Sequence, residues 1–220
     1  MPVVPYCSYR YPSLQGVHPF IAASLQQVED HQQAQVVSIS FDIPEVDPLL
    51  VLDRLSHCRE RHLYLEHSAA KEAVAAFGTT LFFQASGADR FNQTRQFIQQ
   101  WTHRIHPHVA DPDASPRLPI NPHARFFCSF AFFPQSSRSG LDFPTASAML
   151  PQWQILRQRA GCTLTANLLL TPDTSLAHIL EQLDTRLHDI QQLHQQRWQP
   201  PEPHCPRLSL MQPSHLAGQQ

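Results

Sequence analysis

Two neighbouring segments decide the fold of this chain. The first reads His62-Leu-Tyr-Leu-Glu-His67, and after a short gap the second reads Glu72-Ala-Val-Ala-Ala-Phe-Gly-Thr-Thr-Leu-Phe-Phe-Gln-Ala85. Short apolar runs bounded by turn residues are typical of β-strands. We predict one strand over His62–Glu66 and a second over Val74–Ala85. The second strand is expected to bend or bulge near Gly78, where the missing side chain permits such geometry.

The preceding part of the chain predicts one more strand and a short helix. Apolar and polar residues alternate over residues 36–43, which is typical of a half-buried strand with Val37, Ile39, Phe41 and Ile43 on one face. Asp47-Pro48 is a helix start, followed by an apolar stripe of Leu49, Leu50, Leu52 and Leu55. Residues 1–35, rich in proline and glutamine, are predicted to be irregular, with a short apolar turn at residues 20–25.

A helix and a central strand are predicted for the middle of the chain. The helix opens at Gly87-Ala88-Asp89 and ends before Pro107, and its apolar face comprises Phe91, Phe97, Ile98, Trp101 and Ile105. The segment Phe126–Phe133 is apolar on both faces, which favours a central strand covered on both sides. Residues 135–142 are polar and are predicted to form a flexible loop.

Three strands and a long helix are predicted for the last structured part. The strands are Thr145–Leu150, Gln152–Arg159 and Cys162–Leu170, with Pro151 at a bend or edge and a hairpin turn at Ala160-Gly161. Glutamines alternate with Trp153 and Ile155, so one face of the middle strand is expected to be wet. The helix begins after Thr174 or Ser175, and its apolar stripe is Leu176, Ile179, Leu180, Leu183, Leu187, Ile190 and Leu193.

Composition narrows the class of protein. The chain has 220 residues and a formal net charge of −2, and Lys71 is its single lysine. It has no basic stripe for a phosphate backbone, so nucleic-acid binding is not expected. Its apolar runs are too short to cross a bilayer, and its N-terminus lacks a secretory pattern, so we expect a cytoplasmic protein without membrane contact. Five widely spaced cysteines favour reduced thiols, with Cys128 and Cys162 as small core residues.

No residue is assigned to a catalytic, cofactor-binding or metal site. The chain has no glycine-rich phosphate loop, no G-x-S-x-G and no H-E-x-x-H. The cluster His103-x-x-His106-x-His108 is interpreted as a solvated helix end, because Pro107 interrupts it and no cysteine pair accompanies it. Five further groups are interpreted as structural or surface residues: the neighbours His57/Cys58 and His204/Cys205, the carboxylates Glu66 and Glu72, the arginines Arg157 and Arg159, and the core indoles Trp101 and Trp153.

The order and spacing of these segments resemble the first half of a chorismate-utilising enzyme, and of the isochorismate synthases in particular. The resemblance runs from about residue 36 to residue 170 and continues through the helix to residue 197. It implies an α+β fold of layered antiparallel β-sheets with outer helices. Anthranilate-forming relatives often carry Leu-Leu-Glu-Ser where this chain has Tyr64-Leu-Glu-His67, and that difference favours the isochorismate branch. Aminodeoxychorismate and salicylate synthases remain alternatives.

The resemblance also implies a chemistry that this chain does not carry. Isochorismate synthases are Mg²⁺-dependent isomerases in which a lysine of the second half activates water and a glutamate there acts as an acid. None of those motifs is present, and Lys71 lies in the wrong half. We therefore expect a fragment that needs a C-terminal catalytic half to convert chorismate, for quinone (menaquinone or phylloquinone) or siderophore precursor supply.

The predicted organisation has three parts, and three functions remain open. The parts are an irregular segment over residues 1–35, half of a chorismate-utilising enzyme domain over residues 36–197, and a Pro/Gln-rich, linker-like tail over residues 198–220. The three functions are those of a truncated isochorismate synthase, of a subunit that pairs with a separate catalytic chain, and of a non-catalytic module that binds a small aromatic acid or a protein. The sequence does not decide the oligomeric state.

Overall fold

The computed structural model describes residues 13–57, 59–110, 124–133 and 144–195. Helices and strands both form in these ranges, and the fold is α+β with layered sheets, as predicted. The elements are α1 (Ser13–His31), β1 (Gln35–Ile43), α2 (Pro48–Leu55), β2 (His62–His67), β3 (Glu72–Phe77), β4 (Leu81–Ala85), α3 (Arg90–Thr102), β5 (Ile105–Val109), β6 (Phe127–Phe130), β7 (Ala146–Leu150), β8 (Trp153–Gln158), β9 (Gly161–Leu170) and α4 (Leu176–Gln195).

The described strands form two sheets. The larger sheet has the order β2-β3-β8-β9-β1-β5, and the smaller has the order β4-β7-β6. All pairings are antiparallel except that of β5 with β1, which is parallel. Helices α1, α2 and α4 pack on the larger sheet, whereas α3 packs on β4 and β7. The helices therefore lie outside the sheets, as the sequence predicts.

The main core lies between the larger sheet and its three helices. The predicted stripe of α4 is buried there from Ile179 to Leu193, and Val37, Ile39 and Phe41 of β1 face it. The opposite face of β1 carries Ser38 and Ser40, which are also fully buried. The prediction of a half-buried β1 was therefore wrong, because this strand has neighbours on both edges and both of its faces are covered.

Two local predictions are confirmed by hydrogen bonds and register. The Leu49 amide donates to the carboxylate of Asp47 at 3.0 Å, so Asp47 caps α2 as predicted. The stripe of α2 differs from the prediction, since Leu49 is exposed and Val51 and Leu52 are buried. Strands β8 and β9 form the predicted hairpin, with Gln158 opposite Gly161.

The wet face predicted for β8 is absent. Gln154 is 2 % exposed and Leu156 is 5 % exposed, and both lie on the face opposite to Trp153 and Ile155. Strand β8 lies between β3 and β9 in the larger sheet. Gln154 is therefore an interior side chain, whereas Gln158 at the end of the strand is partly exposed, so alternation along the strand does not mark solvent here.

The N-terminal segment is helical where the sequence predicted irregular chain. Helix α1 buries Leu14, Val17, Ile21 and Val28, whose spacings of three, four and seven residues place them on one helical face. Glutamines and Pro19 lie between these apolar residues, so the helical spacing is not evident from the composition of the segment. Packing on α4, β1 and β9 stabilises the helix despite its weak intrinsic propensity.

Strand β5 was missed because it contains Pro107. The predicted helix ends at Thr102, and Ile105 begins a strand whose single partner among the described strands is β1. Proline is tolerated on an edge strand, since its missing N–H faces away from the ladder.

The buried face of α3 differs from the predicted one at Phe91. This residue was predicted to lie on the apolar face but is half exposed, while Arg90 and Thr94 are the buried positions of α3.

The chain passes between the two sheets at two adjacent points, which we call the junction: residues 78–80 and residues 151–152. The predicted second strand is thus two strands, β3 and β4, which belong to different sheets. Gly78 has a φ of +68°, and a Cβ there would lie 3.0 Å from the Cβ of Gln152. Glycine is required at this point for both its left-handed backbone and the close approach of the second passage.

The side chain of Asn167 holds the junction together. Its Nδ2 donates to the Pro151 carbonyl at 2.8 Å, and its Oδ1 accepts from the Ser38 hydroxyl at 2.8 Å. The backbone of Asn167 donates to Gln152 at 2.8 Å and accepts from the Thr80 hydroxyl at 2.6 Å. Asn167 is fully buried, so each of these groups would otherwise lack a partner.

We expect Asn167→Ala to lower the free energy of unfolding by about 2–4 kcal/mol, because it leaves buried donors and acceptors unpaired. Urea denaturation followed by circular dichroism measures this change. Asn92→Ala is the matched control, since Asn92 bonds Asp89 on the exposed surface, and its effect is expected to stay within about 0.5 kcal/mol. Equal effects of the two substitutions would contradict the role of Asn167.

Candidate functional site

Two hairpin ends create a basic recess on the larger sheet. Strand β3 pairs with β8, with Ala73 opposite Arg157, so the turn before β3 and the turn after β8 lie side by side. The first turn ends at Lys71, whose φ of +57° is stabilised by a bond from its amide to the Ser68 carbonyl at 3.1 Å. The second turn contains Arg159.

The recess has a volume of about 700 Å³ and is lined by charged side chains. Three are cations, Lys71, Arg157 and Arg159, and two are carboxylates, Glu45 and Glu66. Arg157 also lies 3.6 Å from Asp47, the residue that caps α2. The surplus of cations at one open recess can attract a ligand with carboxylate groups.

The structure brings together residues that the sequence analysis treated as structural or surface groups. Arg157 and Arg159 were interpreted as alternating residues of an outer strand rather than as contacts for an anionic partner, Glu66 as a surface carboxylate, and Lys71 was given no role. All four line the same recess. Glu72 does not line the recess, although its carboxylate accepts a hydrogen bond at 2.8 Å from Gln158, which does.

A tyrosine–glutamate pair lies beside the recess. The Tyr64 hydroxyl donates to Glu66 at 2.9 Å. Burial and then this hydrogen bond raise the pKa of Tyr64 to about 12. The phenol is therefore held in its neutral form and acts as a donor to the carboxylate.

The predicted covered strand is an exposed edge. Among the described strands, β6 pairs with β7 alone, and Phe132 and Phe133 beyond it are 98 % and 77 % exposed. With Phe91 and Phe130, whose rings stack with centroids 4.8 Å apart, they form what we call the aromatic patch. The prediction of a central strand was wrong, because hydrophobicity on both faces does not require a covering layer within the described residues.

Arg90 positions the backbone under the aromatic patch. Its guanidinium donates to the Ala131 carbonyl at 3.1 Å and to the Phe132 carbonyl at 3.4 Å, and it lies 4.3 Å from the ring of Phe91. A cation therefore fixes the chain at the point where two phenylalanines enter solvent. Residues 134–143, which include the whole predicted loop, lie outside the described part of the chain.

The histidine cluster is divided between two elements. His103 follows α3, whereas His106 and His108 lie on β5, so the interpretation as a helix end was wrong for those two. The His108 ring stacks on Phe20 with centroids 4.2 Å apart. Burial lowers the pKa of His108, which favours the neutral imidazole.

The thiols divide in the same way between core and surface. Cys162 is buried as predicted, whereas Cys128 on the edge strand β6 is exposed, so the core prediction was wrong for Cys128. Burial raises the pKa of the Cys162 thiol, and neighbouring groups that partly cover the otherwise exposed Cys128 desolvate its thiol and raise its pKa as well. Both are therefore poor nucleophiles at neutral pH. Cys58 and Cys205 lie outside the described residues.

The two tryptophans interpreted as core indoles differ in burial. Trp153 is buried in the core as predicted, and Trp101 is partly buried against the cluster of Val36, Leu81 and Leu150.

No helix in the described ranges is both long and apolar enough to cross a membrane.

Comparison with known proteins shows the family. The family model described as chorismate binding enzyme matches residues 23–217. The chain belongs to the family of chorismate binding enzymes. No curated protein matches the chain. Among the solved structures that match is MenF, the menaquinone-specific isochorismate synthase from Escherichia coli, with 17 % identity and a TM-score of 0.41 over 81 % of this chain. The chain spans 34 % of the length of that structure.

The Mg²⁺ implied by this family does not fit the described residues of this chain. They contain no group of three or more histidine, cysteine, aspartate or glutamate side chains that could hold a metal ion. Hard cations such as Mg²⁺ need several oxygen ligands in near-octahedral geometry. The carboxylates of the basic recess instead lie among cations.

We expect Glu66→Gln to bring the pKa of Tyr64 down from about 12, though not to 10, because burial acts independently of Glu66. Absorbance titration of tyrosinate, with Tyr64→Phe as the blank, measures the pKa of Tyr64 in this variant. A pKa raised in the folded state contributes stability that is present below pH 10 and is lost as the pH rises towards 12. Glu72→Gln is the matched control and is expected to leave this titration unchanged. A Tyr64 titration that is the same in both variants would refute the pairing.

Proposed function

We propose that this chain is the N-terminal portion of an isochorismate synthase, and that it forms isochorismate from chorismate only together with a C-terminal catalytic half. The family match over residues 23–217 carries this proposal. The replacement of serine by His67 in the second-strand segment favours the isochorismate branch over the anthranilate branch. In the complete enzyme the catalytic half supplies the base, the acid and the Mg²⁺ ligands, and the product feeds a quinone or siderophore pathway.

The described residues support a scaffolding role. Conversion of chorismate requires a base and an acid that flank the ring, with a cation near its carboxylate. The carboxylates best placed to contact a ligand, Glu45 and Glu66, lie on the same basic recess, where Glu66 accepts from Tyr64. The only lysine, Lys71, occupies a hairpin turn beside them. This arrangement binds anions better than it transfers protons.

The aromatic patch is the surface that fits the catalytic half. An exposed strand edge with unpaired backbone groups accepts a further strand, and exposed aromatic side chains next to it add apolar area. Arg90 orders the backbone of this edge before any partner binds. The partner therefore meets a preformed surface, which lowers the entropic cost of association.

We expect the purified chain, incubated with chorismate and Mg²⁺, to form no isochorismate above the uncatalysed background. Chromatographic separation of chorismate and isochorismate measures this outcome. The control is the same mixture with a complete isochorismate synthase such as MenF. Isochorismate formation by the chain alone, removed by heat inactivation, would disprove its dependence on a catalytic half.

We expect Phe132→Ser with Phe133→Ser to abolish recovery of a chorismate-converting complex from cells that express the tagged chain. The readout is isochorismate formation by the recovered complex. Leu49→Ser is the control, because Leu49 is an exposed apolar residue on α2 outside the patch. Equal activity in the double variant and the wild type would exclude the patch as the contact surface.

The alternative is a non-catalytic module that binds a small aromatic acid. The surplus of cations in the basic recess favours it. Calorimetric titration of the isolated chain with chorismate separates the two functions. Binding that is lost in Lys71→Met and Arg159→Met, with no conversion in any recovered complex, supports the module. Conversion by a recovered complex supports the half-enzyme.

A further inference from the structure

An arginine of α4 lies over two buried aromatic rings. The guanidinium carbon of Arg186 is 5.1 Å from the ring centroid of Trp153 and 5.2 Å from that of Phe77. Both rings are core side chains, 4 % and 0 % exposed. These distances are typical of cation–π contacts, which compensate part of the cost of desolvating a cation. Arg186 is thus fixed in place on an apolar floor.

The hydrogen-bonding capacity of Arg186 is largely unused within the described residues. A guanidinium has five N–H donors. The structure shows one long bond, from Nη1 of Arg186 to the Leu55 carbonyl at 3.5 Å, and no carboxylate within 4.0 Å. Asp189 and Glu60 act on it only from a greater distance, and burial lowers the pKa of Arg186.

A recess opens beside this guanidinium. Its volume is about 330 Å³, and it is lined by Gln152, His178, Gln182 and Thr185 in addition to Trp153 and Arg186. Small-molecule sites span roughly 300–1,000 Å³, so this recess suits a small ligand. The other charged lining residue, Glu181, is exposed, so water screens its repulsion of an anion.

We propose that this recess binds a small hydroxylated carboxylate, whose carboxylate group accepts hydrogen bonds from the N–H donors of Arg186 that have no partner among the described residues. The planar fork of a guanidinium matches a carboxylate in a bidentate pair, and the aromatic floor strengthens that pair by excluding water from one side. The amide of Gln152, the hydroxyl of Thr185 and the amide oxygen of Gln182, whose Nε2 lies 2.9 Å from His178 Nε2, bond to the hydroxyl groups of the ligand. This site is separate from the basic recess and does not depend on a catalytic half.

A purely structural role makes a different prediction. Arg186 connects α4 to the end of α2 through the Leu55 carbonyl and to β3 and β8 through the two rings. If it served only there, its removal would lower stability, and carboxylates would bind no better than their neutral esters. Ligand charge therefore separates the two roles in the unmodified protein.

The test is a fluorescence titration with shikimate, a cyclic trihydroxy carboxylate. Trp101→Phe and Trp198→Phe leave Trp153 as the single tryptophan, so quenching reports binding at the recess. We expect a Kd on the order of 1 mM or lower for shikimate. The methyl ester of shikimate keeps the ring and hydroxyls but lacks the charge, and we expect it to bind at least about tenfold more weakly.

Arginine variants locate the site. We expect Arg186→Met to weaken shikimate binding at least about tenfold. The matched control is Arg61→Met, since Arg61 also lies over an aromatic ring, 3.8 Å from the centroid of Phe82, but outside the recess; its affinity is expected to be unchanged. If Arg186→Met does not fold, as judged by circular dichroism, Arg186→Lys keeps the charge but loses the fork and is expected to bind severalfold more weakly. Equal affinity for shikimate and its ester, or no effect of either Arg186 variant, would overturn the proposal.

Discussion

The buried amide of Asn167 is the interaction on which the rest of the structure depends. Both passages of the chain between the sheets leave backbone groups without strand partners, and a buried unpaired group costs about 1–3 kcal/mol. Asn167 satisfies the Pro151 carbonyl with its side chain and the Gln152 carbonyl with its backbone amide. The smaller sheet, and with it the aromatic patch, is therefore held at a defined position relative to the larger sheet.

The two faces of the larger sheet differ in the chemistry of their side chains. One face carries the large apolar side chains that pack under α1, α2 and α4. The other carries buried hydroxyl and amide groups, among which the Ser40 and Thr165 hydroxyls lie 3.2 Å apart and the Gln154 Oε1 has no partner among the described residues. Apolar contacts supply most of the stability, while the polar contacts between neighbouring strands fix their alignment.

The surfaces that can meet ligands or partners lie where strands end. The basic recess forms at two hairpin turns, the Arg186 recess adjoins the junction beside Gln152, and the aromatic patch follows the last residue of β6. Turns and edges keep polar backbone and side-chain groups accessible to a ligand or partner, whereas the polar groups of the interior strands are buried. The fold of this chain thus separates its stable layers from its binding surfaces.

The sequence by itself determined the features that depend on local order. The strand over Cys162–Leu170, the apolar stripe of α4, the helix start at Asp47-Pro48 and the hairpin at Ala160-Gly161 are confirmed, because each follows from spacing along a few turns or residues. The order of these segments also identified the family. Helix α1, the edge strand β5, the exposed β6 and the shared recess of Lys71, Arg157 and Arg159 were decided only by the tertiary structure. These features depend on which distant segments become neighbours, and local propensity carries no information about partners far away in the chain.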